Sequence, residues 1–425
     1  MKRILFVTYI DLLKPIDFSN GVVNGNFRNS GDTVYFSAGM SYFYGLENVT
    51  IMHKEKVIEK IKQDPDFAKK NFDIVITMVA NIFSKFHRPN MLDMADFVKS
   101  LKVPVYILGA GCQSDINYSF DFLNDIKDEA SLFLDSILNS GGDITLRGDF
   151  TKEALEKLGY KNLFVSGCPS LYLLGQEAHI SNNKVSKENF KPMLCGGCVE
   201  DINKKIYRTY KSSVFFDQDV YLKYLYKPDK LKVSEVLKTT PLFLELYQND
   251  RIKGFLNYYP WIREIIENSY NFSYGKRIHG NIIALQNNIP AFVKAHDSRT
   301  REIAQFYNIP NSFDIPFDET KDELYDLYKE LDYTKFSETY KNRFNSFVDY
   351  LENKKISNLL KQEAKEYIEN ISKMKYLEFS MQNKKKKDFA KLKNRLKIFS
   401  FVNNEERIDI CILGIKIKYK KRKGK

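Results

Sequence analysis

The chain has 425 residues, 43% hydrophobic and 14% aromatic, enough to build two cores; this and the modest Gly and Pro content exclude a disordered or fibrous class. No stretch approaches the roughly 18 apolar residues that a membrane-spanning helix needs. The net charge of +12 is local: Met381–Lys425 holds 16 Lys/Arg against 4 Asp/Glu, leaving 50 of each sign in the first 380 residues, so the body gives no electrostatic reason to expect nucleic acid.

Lys2–Thr8 is an apolar, β-rich run, read as a first strand rather than a signal peptide because Asp11 interrupts it and no small-residue cleavage site follows. A polar Gly- and Asn-rich loop is predicted over Ser19–Ser30, then a helix opening at Gly31-Asp32. Asp73–Val79 and Val103–Leu108 are buried strands, the second running into Gly109-Ala110-Gly111. Continuous apolar runs that end in Gly-rich turns indicate a parallel sheet covered on both faces. Asp143–Leu146 is a short strand ending at Arg147, Asp149 is placed to cap a helix over Phe150–Leu158, and Gly159 stops it. Leu163–Ser166 closes this half on Gly167-Cys168-Pro169.

The polar segment Glu177–Pro192 lacks periodicity and is taken as the boundary. The second half carries apolar Pro241–Leu246, aromatic Tyr258–Trp261, and Tyr274–Gly280 leading into a helix over Asn281–Gln286. A strand follows at Pro290–Lys294, then Asp297-Ser298 capping a helix over Arg299–Tyr307. Charged amphipathic helices occupy much of Lys321–Tyr376. The tail begins at Lys384–Lys387, continues as a Lys-rich stretch to Lys397, and ends in a strand-like alternation of Ile408, Ile410, Ile412, Ile415 and Ile417. The reading is an α/β protein of two Rossmann-like domains facing across a cleft, residues 1–185 and 190–355, with a helical segment and basic extension over 356–425.

Five cysteines, an odd number without an export signal, fit reduced thiols and a cytoplasmic location. Cys195 and Cys198 form a lone CxxC without a second pair, so buried or partly buried thiols are expected rather than a metal site, and no cofactor is called for.

Four segments bring polar groups to strand ends or helix starts, where ligands of such sheets bind. Gly31-Asp32 is either an anion site with Asp32 as base or a plain N-cap. Arg147 either binds phosphate or carboxylate or is a surface residue paired with Asp149. In Arg277-Ile278-His279, an extended backbone would put cation and imidazole on one face, and His279 is either a general acid or structural. Arg299 and Arg301 in a first helical turn either meet an anion or pair with acids.

The order of these segments resembles the polysaccharide pyruvyl transferase family, itself similar in fold to GT-B glycosyltransferases. The matching elements are Gly31-Asp32; Leu146-Arg147-Gly148-Asp149 followed by Leu158-Gly159; Arg277-Ile278-His279; and Asp297-Ser298-Arg299, spanning Lys2 to Pro310. Departures are Gly148 between Arg147 and Asp149, Cys168-Pro169 in place of Asp-Pro, and Arg299 in place of Lys. The resemblance implies transfer of a pyruvyl group from phosphoenolpyruvate to a sugar of a bacterial surface polysaccharide such as a capsule, or to its lipid-linked precursor, with ketal formation. It implies His279 as general acid, Asp32 as acceptor-side base, and Arg147, Arg277, Arg299 and Gly31 in substrate binding. A lipid-linked acceptor further implies peripheral contact of the basic tail with the inner face of the cytoplasmic membrane. The competing readings are a GT-B-like glycosyltransferase using a nucleotide-sugar, a nucleic-acid binder acting through the tail, and a scaffold that kept the fold and lost catalysis.

Overall fold

The computed structural model describes residues 1–10, 29–180, 184–222, 225, 240–256, 258–321 and 323–361, and the backbone of strands at 399–403, 407–412 and 415–420. The predicted loop at Ser19–Ser30, apart from its last two residues, and the Lys-rich stretch from Lys384 to Lys397 lie outside them.

The first half alternates strands and helices: β1 (Ile4–Thr8), α1 (Gly31–Ser41), β2 (Val49–His53), α2 (Lys54–Gln63), α3 (Phe67–Asn71), β3 (Ile74–Met78), α4 (Arg88–Leu101), β4 (Val105–Ala110), α5 (Leu123–Asn139), β5 (Asp143–Leu146), α6 (Asp149–Lys157) and β6 (Phe164–Val165). The strands form one parallel sheet in the order β2-β1-β3-β4-β5-β6. Every residue of β1, β3 and β4 is buried, which is why these strands appear in the sequence as continuous apolar runs. Alternation still sorts them: Ile4 and Phe6 enter one core, Leu5 and Val7 the other.

The second half contains β7 (Pro192–Leu194), α7 (Lys204–Thr209), β8 (Val214–Asp217), α8 (Pro241–Gln248), β9 (Ile252–Gly254), α9 (Tyr258–Glu267), β10 (Phe272–Gly275), α10 (Ile278–Leu285), β11 (Ala291–Val293) and α11 (Ser298–Tyr307). Its parallel sheet runs β11-β10-β7-β8-β9. Strand order reverses between β1 and β3 in the first sheet and between β7 and β10 in the second. Crevices at such switch points, beyond the carboxyl ends of the strands, are where doubly wound sheets bind ligands.

The two halves share one continuous core, which runs from one face of the first sheet through the second. After α12 (Leu324–Glu330), α13 (Thr334–Asn353) returns to the first half. There Phe347 stacks on Tyr172 at 5.0 Å and Tyr350 on Phe164 at 4.8 Å. The predicted alternation in the tail forms β13 (Arg407–Ile412) and β14 (Ile415–Lys420), joined by β12 (Phe399–Asn403) in an antiparallel sheet. The register sets Ile410 opposite Ile417 and Ile412 opposite Ile415.

Several local expectations are corrected. Gly148, not Asp149, holds the N-cap position of α6, and no side chain of that cap accepts a bond. Arg277 and His279 do not share a strand face: Arg277 is the N-cap of α10, and His279 lies within its first turn. The sequence reading also left out β2, which is only partly buried along its length, and β7, β8 and β9, of three or four residues each.

Candidate active site

Both switch points open onto the same place. Glycine makes the room in each half. Gly109 at the end of β4 adopts φ +74°, with Pro169 packed so closely that a Cβ there would lie 2.5 Å from its ring. A Cβ on Gly111 would sit 2.9 Å from Arg147 Cδ, so that glycine lets the arginine cross the sheet end. In the second half the CxxC encloses Gly196-Gly197 directly after β7, where Cys195 O accepts from Arg277 N at 2.8 Å. The segment is thus a glycine-rich turn at the switch point. Cys195 and Cys198 are free thiols, both with pKa values raised by burial.

Arg147 is 1% exposed. Its Nε donates to Gly109 O at 2.8 Å and one Nη to Asn81 Oδ1 at 2.9 Å, and its guanidinium lies 5.3 Å from the centre of the Tyr35 ring. It is therefore not a surface residue paired with Asp149. Its other Nη is buried without a partner, as is the Nε of Arg277. Arg277 otherwise pairs with Asp219 through a short contact. Orphaned donors of this kind cost about 1–3 kcal/mol each, more when charged, so a site that keeps them is built for an acceptor it does not itself contain.

His279 stands between these arginines, 7% exposed. Burial, then the fields of Arg147, Arg299 and Arg277, push its pKa down to about 3, so the imidazole is neutral. Its Nε2 faces Cys168 Sγ at 3.8 Å, and Sγ in turn lies 3.0 Å from Ser170 Oγ. Its Nδ1 faces Gly31, where a Cβ would come within 3.1 Å of it. Asp32, one residue on, has its pKa raised to about 6 by burial, partly offset by Arg147 and Arg277.

The four segments named from sequence separate by what occupies their helix ends. The N-terminus of α1 is closed by its flanking residues: Asn29 Oδ1 accepts from Gly31 N at 2.8 Å and Asn29 O from Asp32 N at 3.1 Å, while the hydroxyl of the N-cap residue Ser30 is buried without a partner. The N-terminus of α10 lacks a side-chain cap. This open N-terminus lies beside two arginines with free N–H groups, an arrangement suited to an anion. The other two ends are closed by the protein's own carboxylates. Asp297 caps α11, accepting from Thr300 N at 3.1 Å, and holds Arg299 Nε at 2.6 Å. Glu302, from the second half, fills the start of α6, accepting from Thr151 N at 2.6 Å and Thr151 Oγ1 at 2.9 Å. Arg299 is thus paired with Asp297 and acts on the site through its field, and Arg301 donates to Ile116 O at 2.7 Å between Tyr118 and Phe313, its own Nε buried without a partner.

A family model for polysaccharide pyruvyl transferase matches residues 38–298. The chain belongs to the polysaccharide pyruvyl transferase family. It is accordingly a transferase of polysaccharide biosynthesis, and as such a pyruvyl transferase family member with Arg147, Arg277 and His279 inside the matched span. None of the curated proteins matches it in sequence. Among solved structures it is similar to a functionally uncharacterised protein of Klebsiella pneumoniae, at 14% identity and TM-score 0.36, covering 71% of this chain and 87% of that one. It is similar also to S. aureus MnaA with UDP, at 11% identity and TM-score 0.43, covering 83% and 97%. The UDP-GlcNAc 2-epimerase of Neisseria meningitidis bound to UDP-GlcNAc matches at 11% identity and TM-score 0.40, covering 82% and 99%.

Sequence reasoning missed Asn81 and the run Asp217-Gln218-Asp219, and it named Cys168 only as a departure from the family pattern. The last follows the apolar Val214-Phe215-Phe216, and that strand-end signal was available in the sequence.

Proposed function

We propose that this pyruvyl transferase family member moves a pyruvyl group from phosphoenolpyruvate to two hydroxyls of one sugar, in a surface polysaccharide or its lipid-linked precursor. The observation that carries the reading is the convergence of the uncapped N-terminus of α10 with the unpartnered N–H groups of Arg147 and Arg277 beside His279. Phosphoenolpyruvate supplies what such a site lacks, a phosphate and a carboxylate on one small molecule.

The chemistry follows from the donor's electrons. The enol π pair takes a proton at C3, C2 becomes cationic, and one acceptor hydroxyl adds to C2 and gives up its proton. The C2–O bond to phosphate then breaks, phosphate leaves with that electron pair and the second hydroxyl closes the ketal as its proton is lost. One of the two hydroxyl protons balances the one added at C3 and the other leaves with phosphate. His279 delivers the proton to C3. Its pKa of about 3 is set by burial and then by the fields of Arg147, Arg299 and Arg277. Anionic charge among the three arginines cancels the field that contributes to that depression, so donor binding moves the imidazole toward the range in which it holds a proton. Asp32, raised to about 6 by burial against the fields of Arg147 and Arg277, is ionised at neutral pH before the donor binds, and donor charge that cancels those fields makes it a stronger base toward the acceptor hydroxyl's proton. Arg147 and Arg277 bind the donor's anions, with Arg299 adding positive field.

The basic tail holds the enzyme near an anionic membrane face, where a lipid-linked acceptor would lie; among the described residues no helix is long and apolar enough to cross a membrane. The deciding experiment is phosphate release from phosphoenolpyruvate with a panel of lipid-linked and nucleotide-linked sugars, alongside thermal shifts with each donor. Stabilisation by UDP- or GDP-sugars and none by phosphoenolpyruvate would replace this reading with a glycosyltransferase.

A further inference from the structure

Gln218 follows β8 directly and is 1% exposed. Its backbone carbonyl accepts from Ser30 N at 2.6 Å, tying the second half to the residue that starts α1 in the first. Its side chain lies between two glycines of the motif segments. A Cβ on Gly31 would meet Gln218 Oε1 at 3.0 Å and His279 Nδ1 at 3.1 Å, so the amide and the imidazole edge flank the same point. A Cβ on Gly280 would meet Gln218 Nε2 at 2.6 Å. Any larger residue at either position would displace the amide. Yet Nε2, on the Gly280 side where Cys195 Sγ also approaches, is buried with no hydrogen-bond partner.

An amide donor is rarely buried and left unmade unless something supplies its acceptor. The same condition holds for the free N–H groups of Arg147 and Arg277. We infer that Gln218 is a third donor to the bound pyruvyl donor, a neutral one, and that it holds an anionic oxygen of that molecule in register with His279. The inference rests on the phosphoenolpyruvate reading above. A neutral amide has a physical advantage at this position. It adds a hydrogen bond with fixed direction without a fourth positive charge, which would depress His279 further. Asp219 acts beside it by holding the Arg277 guanidinium in place through their ion pair.

The test titrates the full chain with phosphoenolpyruvate, followed by thermal shift, so that no acceptor is needed. Gln218→Met keeps length and removes the donor, while Gln218→Glu keeps shape and places a carboxylate among the arginines. The expected result is a dissociation constant raised roughly 10-fold in the Met variant and further in the Glu variant, each melting without ligand near the wild type. Equal affinity in wild type and Gln218→Met overturns the inference and leaves the donor reading intact. If Gln218→Met fails to fold, the Glu variant decides, since unchanged affinity with a carboxylate at this position is incompatible with donation to an anion. Failure of wild type to bind phosphoenolpyruvate at all overturns both.

Discussion

His279 is the residue on which the proposed chemistry turns, and its surroundings assign separate tasks to its two nitrogens. Nε2 is directed at the Cys168 thiol and Nδ1 at the side of Gly31 and Gln218, so Nδ1 is the edge to which the proposed proton transfer is assigned. His279→Asn should lower turnover by roughly 10²–10⁴-fold, the usual contribution of a positioned acid, with donor affinity changed far less; near-normal turnover at saturating acceptor would remove the role. Arg277→Ala should weaken donor binding as well as turnover, because it deletes an N–H that no protein group uses. The charge argument has its own readout. Histidine-selective NMR should find the imidazole neutral down to a pH near 3 in the free protein, and phosphoenolpyruvate should move that titration upward. A titration unmoved by saturating ligand would mean that the anion binds away from the three arginines.

Among the elements, helix ends make the distinction that residue identities could not. All four motif segments place cations or acids near a helix start, but α11 and α6 are capped by Asp297 and Glu302 and α1 by Asn29, while α10 is left open. Glu302 carries the cost of that arrangement. Burial raises its pKa to about 7 against an ordinary 4.5, more than its bonds to Thr151 and the Arg147 field lower it. The folded state therefore holds this proton more tightly than the unfolded chain. The resulting stabilisation is full below about pH 4.5 and is lost as pH rises through about 7. Glu302→Gln should remove this component, so the melting temperature lost between pH 5 and pH 8 should be smaller than in the wild type. Parallel pH profiles of the two proteins would show that Glu302 is not the titrating group.

For the whole molecule, the asymmetry of charge separates a neutral body from a tail of 16 Lys/Arg and 4 Asp/Glu. An anionic leaflet attracts such residues at about 1 kcal/mol each near its surface. Truncation after Met381 should abolish binding to anionic vesicles at low salt while leaving activity on a short soluble acceptor. Loss of that activity in a folded truncation would show that the tail packs on the catalytic body, and undiminished vesicle binding would put the membrane contact elsewhere. The site lies where the two halves meet, so its geometry depends on the contacts joining them, Ser30 to Gln218 and Glu302 to Thr151 among them.

What the sequence determined by itself was whatever is written in contiguous residues. Buried parallel strands need unbroken apolar runs, so β1, β3 and β4 were legible, and a Gly-rich turn marked the carboxyl end of β4. The family, the two-sheet architecture and the positions of Arg147, Arg277 and His279 at strand ends followed from motifs of a few residues. Short strands such as β7 and β9 carry too few residues to show a period, and they went unread. Which arginine keeps a free N–H was decided only by tertiary structure: Arg299 pairs with its neighbour Asp297, while Arg147 reaches Asn81 from another strand end and still leaves one Nη without a partner. The same holds for Glu302 closing α6 from the other half, for Gln218 lodged between Gly31 and Gly280, and for the neutral state of His279. Each depends on distances between segments far apart in the chain, and on the burial that follows when they close on one another.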